Sequence, residues 1–408
     1  METTGKNMQY EIVILAVFAF LFSIIAGRLE RSIISGPVIY VVSGILMGPL
    51  FLGWFGGEAT RGQLRFFADM TLVLILFSDA AHAELSVLKS RITIPARMLL
   101  IGLPGAILLG FGSALVLFDV LTVYEAAILG VILAATDAAL GKAVVTNKKL
   151  PTWIREGLNA ESGLNDGLCV PFLLIFIALA LSAVEPGAST IKPLMVVVRE
   201  LGVGLAMGLG LTLAGGLLLR FCQKQGWLTE VWMQVTVPAL ALACFSLAQE
   251  LHGSGYIAAF SGGLLFGYLL NKTKHNFILA AEGVGETLAM LTWLLFGISV
   301  IAGVIGLVTW QVLAYALLSL TVVRMLPIFL SLSGSGATVR DRLFLGWFGP
   351  RGLASIVFVV IVLDSGLPGG AFIALVVTVT VFLSLVAHGF TAKPVSAWLL
   401  RHNSGDGD

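Results

Sequence analysis

Charge is what this sequence has least of. Asp, Glu, Lys and Arg make up 12% of 408 residues while 58% are hydrophobic, a balance that excludes a soluble enzyme and describes a chain whose main solvent is lipid. Cysteine is equally sparse. Cys169, Cys222 and Cys244 are odd in number, lie in apolar runs and form no CxxC, which argues against a disulfide framework and against a zinc site. The net charge of +1 gives no reason to expect nucleic acid as a partner. A phosphate-cradling glycine loop ending in Lys is missing from the polar segments, which disfavours an ATP-driven pump. The first apolar run, Glu11 to Gly27, lacks a basic leader and a small-residue cleavage site, so it reads as a retained span rather than a signal peptide.

What the chain has instead is apolar length. Thirteen runs, approximately 9 to 27, 33 to 52, 66 to 83, 93 to 118, 123 to 147, 153 to 183, 193 to 221, 230 to 251, 254 to 270, 282 to 303, 308 to 331, 343 to 363 and 370 to 392, alternate with short polar breaks. Each is near the length that a helix needs to cross a bilayer. The sequence therefore predicts an all-α polytopic membrane protein with 13 transmembrane helices. Basic residues support the odd count: 17 follow odd-numbered runs, and only Lys6, Arg61, Arg65 and Lys192 fall on the other side. By the positive-inside rule the N-terminus is expected outside and the C-terminus in the cytoplasm. Glycines at 202, 204, 208 and 210 suit a closely packed helix face.

Three acids interrupt this apolar pattern where they are most costly. Asp137 lies in Ala134-Ala135-Thr136-Asp137-Ala138-Ala139-Leu140, and Glu161 and Asp166 in Ala160-Glu161-Ser162-Gly163-Leu164-Asn165-Asp166-Gly167, within adjacent spans. A charge at the membrane midplane costs roughly 2.5 to 3.5 kcal/mol on insertion scales. Something must compensate each of them: a basic partner, a proton or a metal cation.

Arg324 and Arg351 supply part of the answer. Arg351 sits in Gly349-Pro350-Arg351-Gly352, a Gly and Pro interruption of the twelfth run that matches the polar interruption at Thr136-Asp137 in the fifth. Two interrupted segments an odd number of spans apart suggest inverted repeats whose broken helices cross at the midplane. Unpaired helix ends there carry partial charges, which Asp137 and Arg351 would neutralise. Arg324, in Val322-Val323-Arg324-Met325-Leu326-Pro327, needs a carboxylate, and Glu161 is the expected partner because pairing costs far less than leaving either charge alone.

With Thr136-Asp137, Glu161-Ser162, Asn165-Asp166, Arg324 and Gly349-Pro350-Arg351-Gly352 in that order, the chain resembles the monovalent cation:proton antiporter superfamily, in its NhaP-type sodium/proton branch. The resemblance spans nearly all 408 residues. It implies that Asp166 holds cation and proton in turn, that Asp137 and Thr136 form the other wall of the site, and that Ser162 and Asp79 lie at the pocket. Glu161 and Arg324 would be a structural ion pair. Asn165, standing where electrogenic relatives carry a second aspartate, implies electroneutral exchange. Family members are dimers, which implies an interface part at about 1–91 and 224–303, a linker helix at about 193–222, an ion-transporting core at about 92–183 and 308–392, and a short cytoplasmic tail at 393–408. Ala138 and Gly163 depart from the family, which usually has proline at the first position and a bulkier residue at the second. Some potassium-transporting members share Thr-Asp-Ala, so a potassium/proton antiporter of the same fold is the alternative.

The residues support such a mechanism without the family name. Desolvation disfavours a charged carboxylate, so proton and cation compete for one acid, and a hard alkali cation wants the oxygens that carboxylates, a hydroxyl, an amide and backbone carbonyls supply. The expected cation ligands are Asp166, Asp137, Ser162 and Thr136, with no cofactor. Asn165 and Asp79 complete the expected ion- and proton-binding set, and several of its members carry an alternative role: Asp137 as dipole compensation only, Asn165 as a bridge between helices or an orienter of Asp137, and Ser162 and Asp79 as packing or the edge of a wet cavity. His82, His252, His275, His388 and His402 read as solvated or interfacial near span ends, and Glu282 with Glu286 as an acid pair opening the tenth span. An intramembrane aspartyl protease would need two acids sharing a proton, but it leaves Arg324 and Arg351 without a task. A passive channel would need rings of carbonyls or charges. Expected partners are monovalent cations, protons, the bilayer of the cytoplasmic membrane and a second copy of the chain.

Overall fold

The computed structural model describes residues 2–29, 35–55, 57–82, 93–137, 142–145, 147, 149–184, 191–270, 274–301 and 305–403. Ala138, Ala139 and Leu140 of the fifth run, and Arg31, Lys89, Arg91, Lys148 and Lys272 among the 17 basic residues counted above, lie outside the described residues. The described chain is helical, with no strand. We number α1 (Glu2–Leu29), α2 (Gly36–Met47), α3 (Gly57–His82), α4 (Thr93–Leu117), α5 (Val123–Ile132), α6 (Lys142–Val145), α7 (Thr152–Val184), α8 (Ile191–Lys224), α9 (Glu230–Glu250), α10 (Gly255–Leu269), α11 (Lys274–Phe296), α12 (Trp310–Ser331), α13 (Val339–Trp347), α14 (Leu353–Asp364) and α15 (Gly370–Asn403). Among the described residues, eight helices are long and apolar enough to cross a membrane, and α2, α5, α10 and α14 are shorter apolar helices.

Each apolar run falls on one helix or, for the fifth and twelfth, on a pair of helical segments. Four differ most in extent, α1 beginning at Glu2 rather than near residue 9. α3 begins well before residue 66, because Glu58, Arg61, Gln63 and Arg65 extend the helix with polar turns that hydropathy does not detect. α11 likewise starts at Lys274, so Glu282 and Glu286 lie inside the helix rather than opening it. α15 continues to Asn403, so residues 393–403, read as tail from their charge, are helical; Leu399 is fully buried with Ile94, Met98, Ile154 and Phe344.

Close approach of backbones, through glycine, sets the packing. A side chain at Gly263 or Gly267 of α10 would collide with the α3 carbonyls of Phe77 and Ala81, and one at Gly204 or Gly208 of α8 with the α10 carbonyls of Ser254 and Ala258. Small residues permit such contacts where apolar burial gives helices no reason to associate, since lipid is as apolar as leucine. Gly208, singled out by its run of neighbours, is thus a contact position, whereas Gly202 and Gly210 face open space. α2, α3 and α8 to α11 pack as one group, and α4, α5, α7 and α12 to α15 as another, with α7 touching α3 and α8. α4 passes through a π-turn at Met98–Gly102, just before Pro104, where Gly102 and Gly105 lean on Ile328 and Pro327 of α12. A helix that loses a backbone donor at proline accommodates it by such a local change of pitch. The outer side of α1 carries Val13, Val17, Phe20 and Ile24 to the surface, as expected of a face that meets hydrocarbon.

Candidate functional site

The site is assembled from the polar face of α7 and two interrupted helices. On α7, Glu161 and Asn165 form one stripe at helical spacing, and Ser162 and Asp166 the next. All four are buried.

α5 starts with a capping box in which Thr122 and Glu125 satisfy each other's backbone N–H groups, and it ends at Ile132 with carbonyls that have no helical partner. α13 starts the same way, with Thr338 and Asp341, and stops at Trp347. The two non-helical stretches then cross. The Asp137 N–H donates to the Pro350 carbonyl at 2.8 Å, and the Leu353 N–H, at the start of α14, donates to Asp137 Oδ2 at 2.9 Å. In the reverse direction Arg351 Nη1 donates to the carbonyls of Ala134 and Ala135 at 2.9 and 3.3 Å, and Nη2 to that of Ser319 at 3.2 Å. Acid thus meets a helix N-terminus and base meets a C-terminal end, the arrangement that the helix dipole favours. The Ser355 hydroxyl takes up Ile132 O at 3.0 Å.

Glycine makes the crossing sterically possible. A side chain at Gly352 would overlap the Asp137 carboxylate, and one at Gly349 would overlap the Arg324 guanidinium. Gly-Pro-Arg-Gly is therefore more than a helix breaker: its two glycines leave room for the two charges passing on either side of Arg351.

Glu161 is fully engaged. Arg324 donates to both its oxygens, at 2.8 and 2.9 Å, and both residues are 1% exposed. Asn165 Nδ2 adds bonds to Glu161 Oε1 at 3.2 Å and Thr136 Oγ1 at 2.6 Å, while its Oδ1 accepts the Thr136 N–H at 3.4 Å. Ser162 Oγ donates to Thr136 O at 2.9 Å and lies 3.1 Å from Thr136 Oγ1. Asp166 differs: its Oδ1 is buried with no hydrogen-bond partner among the described residues. Asp137, Asp79 and Glu161 are the carboxylates near enough for their charge to bear on it.

Asp79 comes from α3 and lies against Gly163, where an added Cβ would stand 3.0 Å from that of Asp79. The glycine in place of a bulkier residue thus leaves room for a fourth acid beside the α7 stripes. At the far end of the same α3 turn, His82 Nε2 lies 3.5 Å from Glu282 Oε1. Four acids, Glu161 and Asp166 buried and Asp79 and Asp137 half-buried, thus lie near one another with Arg324 and Arg351 as the neighbouring guanidinium groups, an excess of negative charge that a proton or a cation can neutralise.

Several contributors escaped the sequence reading. Glu125, besides capping α5, accepts the Gly369 N–H at 2.6 Å and so ties α5 to the start of α15; the Thr-x-x-Glu and Thr-x-x-Asp patterns before apolar runs were the available signal. His388 is not near a solvated span end but buried mid-helix in α15, 2.9 Å from the Trp347 carbonyl, and nothing in its local sequence distinguishes those two environments.

Comparison with known proteins places the chain in a family. A family described as sodium/hydrogen exchanger, transmembrane, matches residues 14–398. The K(+)/H(+) antiporter NhaP of Alkalimonas amylolytica is 27% identical, over 97% of this chain and 67% of its own length. The K(+)/H(+) antiporter NhaP2 of Shewanella sp. (strain ANA-3) is 24% identical over 95% of this chain and 66% of its own length, and a Na(+)/H(+) antiporter of Saccharomyces cerevisiae is 24% identical over 87% and 38%. The chain therefore spans about two thirds of the bacterial relatives and well under half of the yeast one. Among solved structures, the sodium proton antiporter MjNhaP1 from Methanocaldococcus jannaschii superimposes with a TM-score of 0.78 at 20% identity, covering 94% of this chain and 99% of that one. These relatives are antiporters by name, and the overall fold is similar to that of the archaeal antiporter. The chain belongs to the sodium/hydrogen exchanger family.

Proposed function

We propose that the protein is a secondary transporter that exchanges sodium or lithium for protons across the cytoplasmic membrane, one for one, with Asp166 as the shared carrier. The observation that carries this reading is the contrast within the pocket. Glu161 is held by Arg324 and Asp137 is bonded at the α14 N-terminus, whereas Asp166 Oδ1 is buried and unpartnered. A buried carboxylate with no fixed partner takes a proton or a cation.

Asp166, Asp137, Thr136 and Ser162 supply hard oxygen ligands suited to an alkali cation, and Asp79 adds charge at the pocket edge. Asn165, whose amide is bonded on both sides, serves as the bridge that fixes Thr136 to Glu161. Loaded with a proton or a cation, Asp166 is neutral and the core can move past the apolar barrier. Empty, it is charged, and desolvation holds it back. Exchange follows because only the two loaded forms cross. The charge count of this carrier is conserved, which makes the cycle electroneutral.

The same reading includes thirteen crossings with the N-terminus outside, a core of about 92–183 and 308–392 moving against an interface part at about 1–91 and 224–303 through the linker at 193–222, and a homodimer. A potassium/proton exchanger is the second reading, favoured by the names of the bacterial relatives and by Thr136-Asp137-Ala138.

The test is dissipation of an imposed pH gradient in proteoliposomes on addition of Na+, Li+ or K+ in turn. Wild type is expected to respond to at least one cation, with an apparent KM that rises as the pH falls because protons compete for the same acid. A response that persists unchanged in Asp166→Asn would overturn the assignment.

A further inference from the structure

Behind the crossing, on the side away from α7, α15 presents Ser384, His388 and Thr391 along one stripe. Ser384 Oγ accepts the Arg351 backbone N–H at 2.7 Å and lies 3.2 Å from His388 Nδ1. His388 stands between two carbonyls, Nε2 2.9 Å from that of Trp347 and Nδ1 2.9 Å from that of Ser384, and a ring nitrogen that carries a proton donates to its carbonyl. Trp347 Nε1 donates to Thr391 Oγ1 at 3.0 Å, and its ring lies over the imidazole with centroids 5.1 Å apart. Ser384 and His388 are both buried.

These bonds hold both ends of one short stretch. Trp347 is the last residue of α13 and Arg351 precedes the start of α14, so the non-helical residues between them are fixed to α15 at each end. Those residues are also the ones that meet α5: Pro350 O accepts the Asp137 N–H, and the Arg351 guanidinium holds Ala134 O and Ala135 O. Thr136, whose carbonyl and hydroxyl face Ser162 and Asn165, lies between these anchors.

We propose that Ser384 and His388 are positioning residues for the cation site: they set where the Gly349 to Gly352 peptide lies, and through Pro350 and Arg351 where Thr136 and Asp137 lie. This rests on the exchange reading above for what the site holds. Neither residue touches the cation. Their effect is on affinity, because a displaced Thr136 carbonyl or Asp137 carboxylate coordinates less well.

The experiment compares Ser384→Ala, Ser384→Thr, His388→Leu, His388→Gln and the Ser384→Ala/His388→Leu pair in proteoliposomes, with thermal unfolding of each purified variant alongside. Ser384→Ala and His388→Leu are expected to raise the apparent cation KM roughly threefold to tenfold, the worth of one neutral hydrogen bond, with Vmax little changed. Ser384→Thr and His388→Gln, which keep an acceptor for the Arg351 N–H and a donor for Trp347 O, are expected to restore most of it. Because both residues act on one stretch, the pair is expected to fall short of the product of the singles. Unchanged KM in Ser384→Ala and His388→Leu, with only the melting temperature lowered, would overturn the proposal, as would effects that multiply independently. If His388→Leu does not fold, Ser384→Ala against Ser384→Thr decides it. Wild type that dissipates no gradient with any cation would instead defeat the exchange reading itself.

Discussion

Glu161 and Asp166 lie little more than a turn apart on α7, and the protein treats them in opposite ways. Glu161, 1% exposed, receives two hydrogen bonds from Arg324 and a third from Asn165. Asp166, 7% exposed, keeps Oδ1 without a partner. The same carboxylate chemistry is thus paired with a guanidinium in one place and left with an unpartnered oxygen in the other, the contrast on which the proposed exchange rests. The difference lies in what approaches from other helices: α12 brings Arg324 past Gly349 to one acid, whereas the groups acting on the other are acids themselves.

The comparison breaks most simply at Asp166. Asp166→Asn removes the exchangeable charge while keeping shape, and it is expected to fold normally and to abolish cation-dependent dissipation of a pH gradient; the corresponding Glu161→Gln is expected to harm folding first and transport only through it. Activity lost in a well-folded Glu161→Gln, with Asp166→Asn still active, would reverse the roles assigned here.

The fixed charge is tested by stability. Removing one member of a buried pair leaves the other uncompensated, at a cost of about 3–5 kcal/mol, whereas replacing both with apolar residues of similar size is often neutral. Arg324→Leu and Glu161→Leu are therefore each expected to lower the thermal unfolding temperature strongly, and the double variant to recover much of the loss. A double variant no better than the worse single would show that the pair is not an isolated unit.

How much of this was legible beforehand depends on the kind of signal. Helices announce themselves by apolar length, and each of the thirteen runs overlaps a helix among the described residues, the fifth and twelfth being interrupted. Charges inside apolar runs announce a problem without its solution. Arg324 needed an acid, and Glu161 was the choice; Arg351 and Asp137 were expected at helix ends, and those are the groups they contact. Polar extensions went unseen, since the first turns of α3 and α11 and the last turns of α15 look like connections to a hydropathy window. Positions whose importance lies in what another helix brings could not be read at all. Gly349 and Gly352 read as helix breakers, and only the three-dimensional approach of Arg324 and Asp137 shows them as clearance. His388 belongs to the same class, because its partners are Trp347 and Ser384 and its own neighbours Ala387 and Gly389 say nothing of them.

Asp137 stands between the two extremes, since one of its oxygens accepts the Leu353 N–H and it also acts on Asp166. Asp137→Asn keeps an acceptor at the α14 N-terminus but loses the charge that strengthens that bond, a difference of about 1 kcal/mol. The expected result is a modest drop in unfolding temperature together with weakened cation affinity, measured as a raised apparent KM. A stability change with no change in KM would make Asp137 a helix cap alone.

The smallest expected effect lies at Gly163. An alanine there brings a methyl group to 3.0 Å from Asp79 Cβ, tighter than ordinary van der Waals contact, and α3 must shift its carboxylate slightly away from α7. Burying one more methyl and removing a helix-interior glycine each favour folding by up to about 1 kcal/mol, which offsets the strain. Stability is therefore expected to stay nearly level while the apparent cation KM rises about twofold to threefold, in the same direction as Asp79→Asn but less. Because Glu161 and Arg324 are untouched, any shift in KM at constant stability reads the acids around Asp166 alone. Should Gly163→Ala instead leave KM fixed while Asp79→Asn raises it, the role of Asp79 would depend on its charge and not on its closeness to α7.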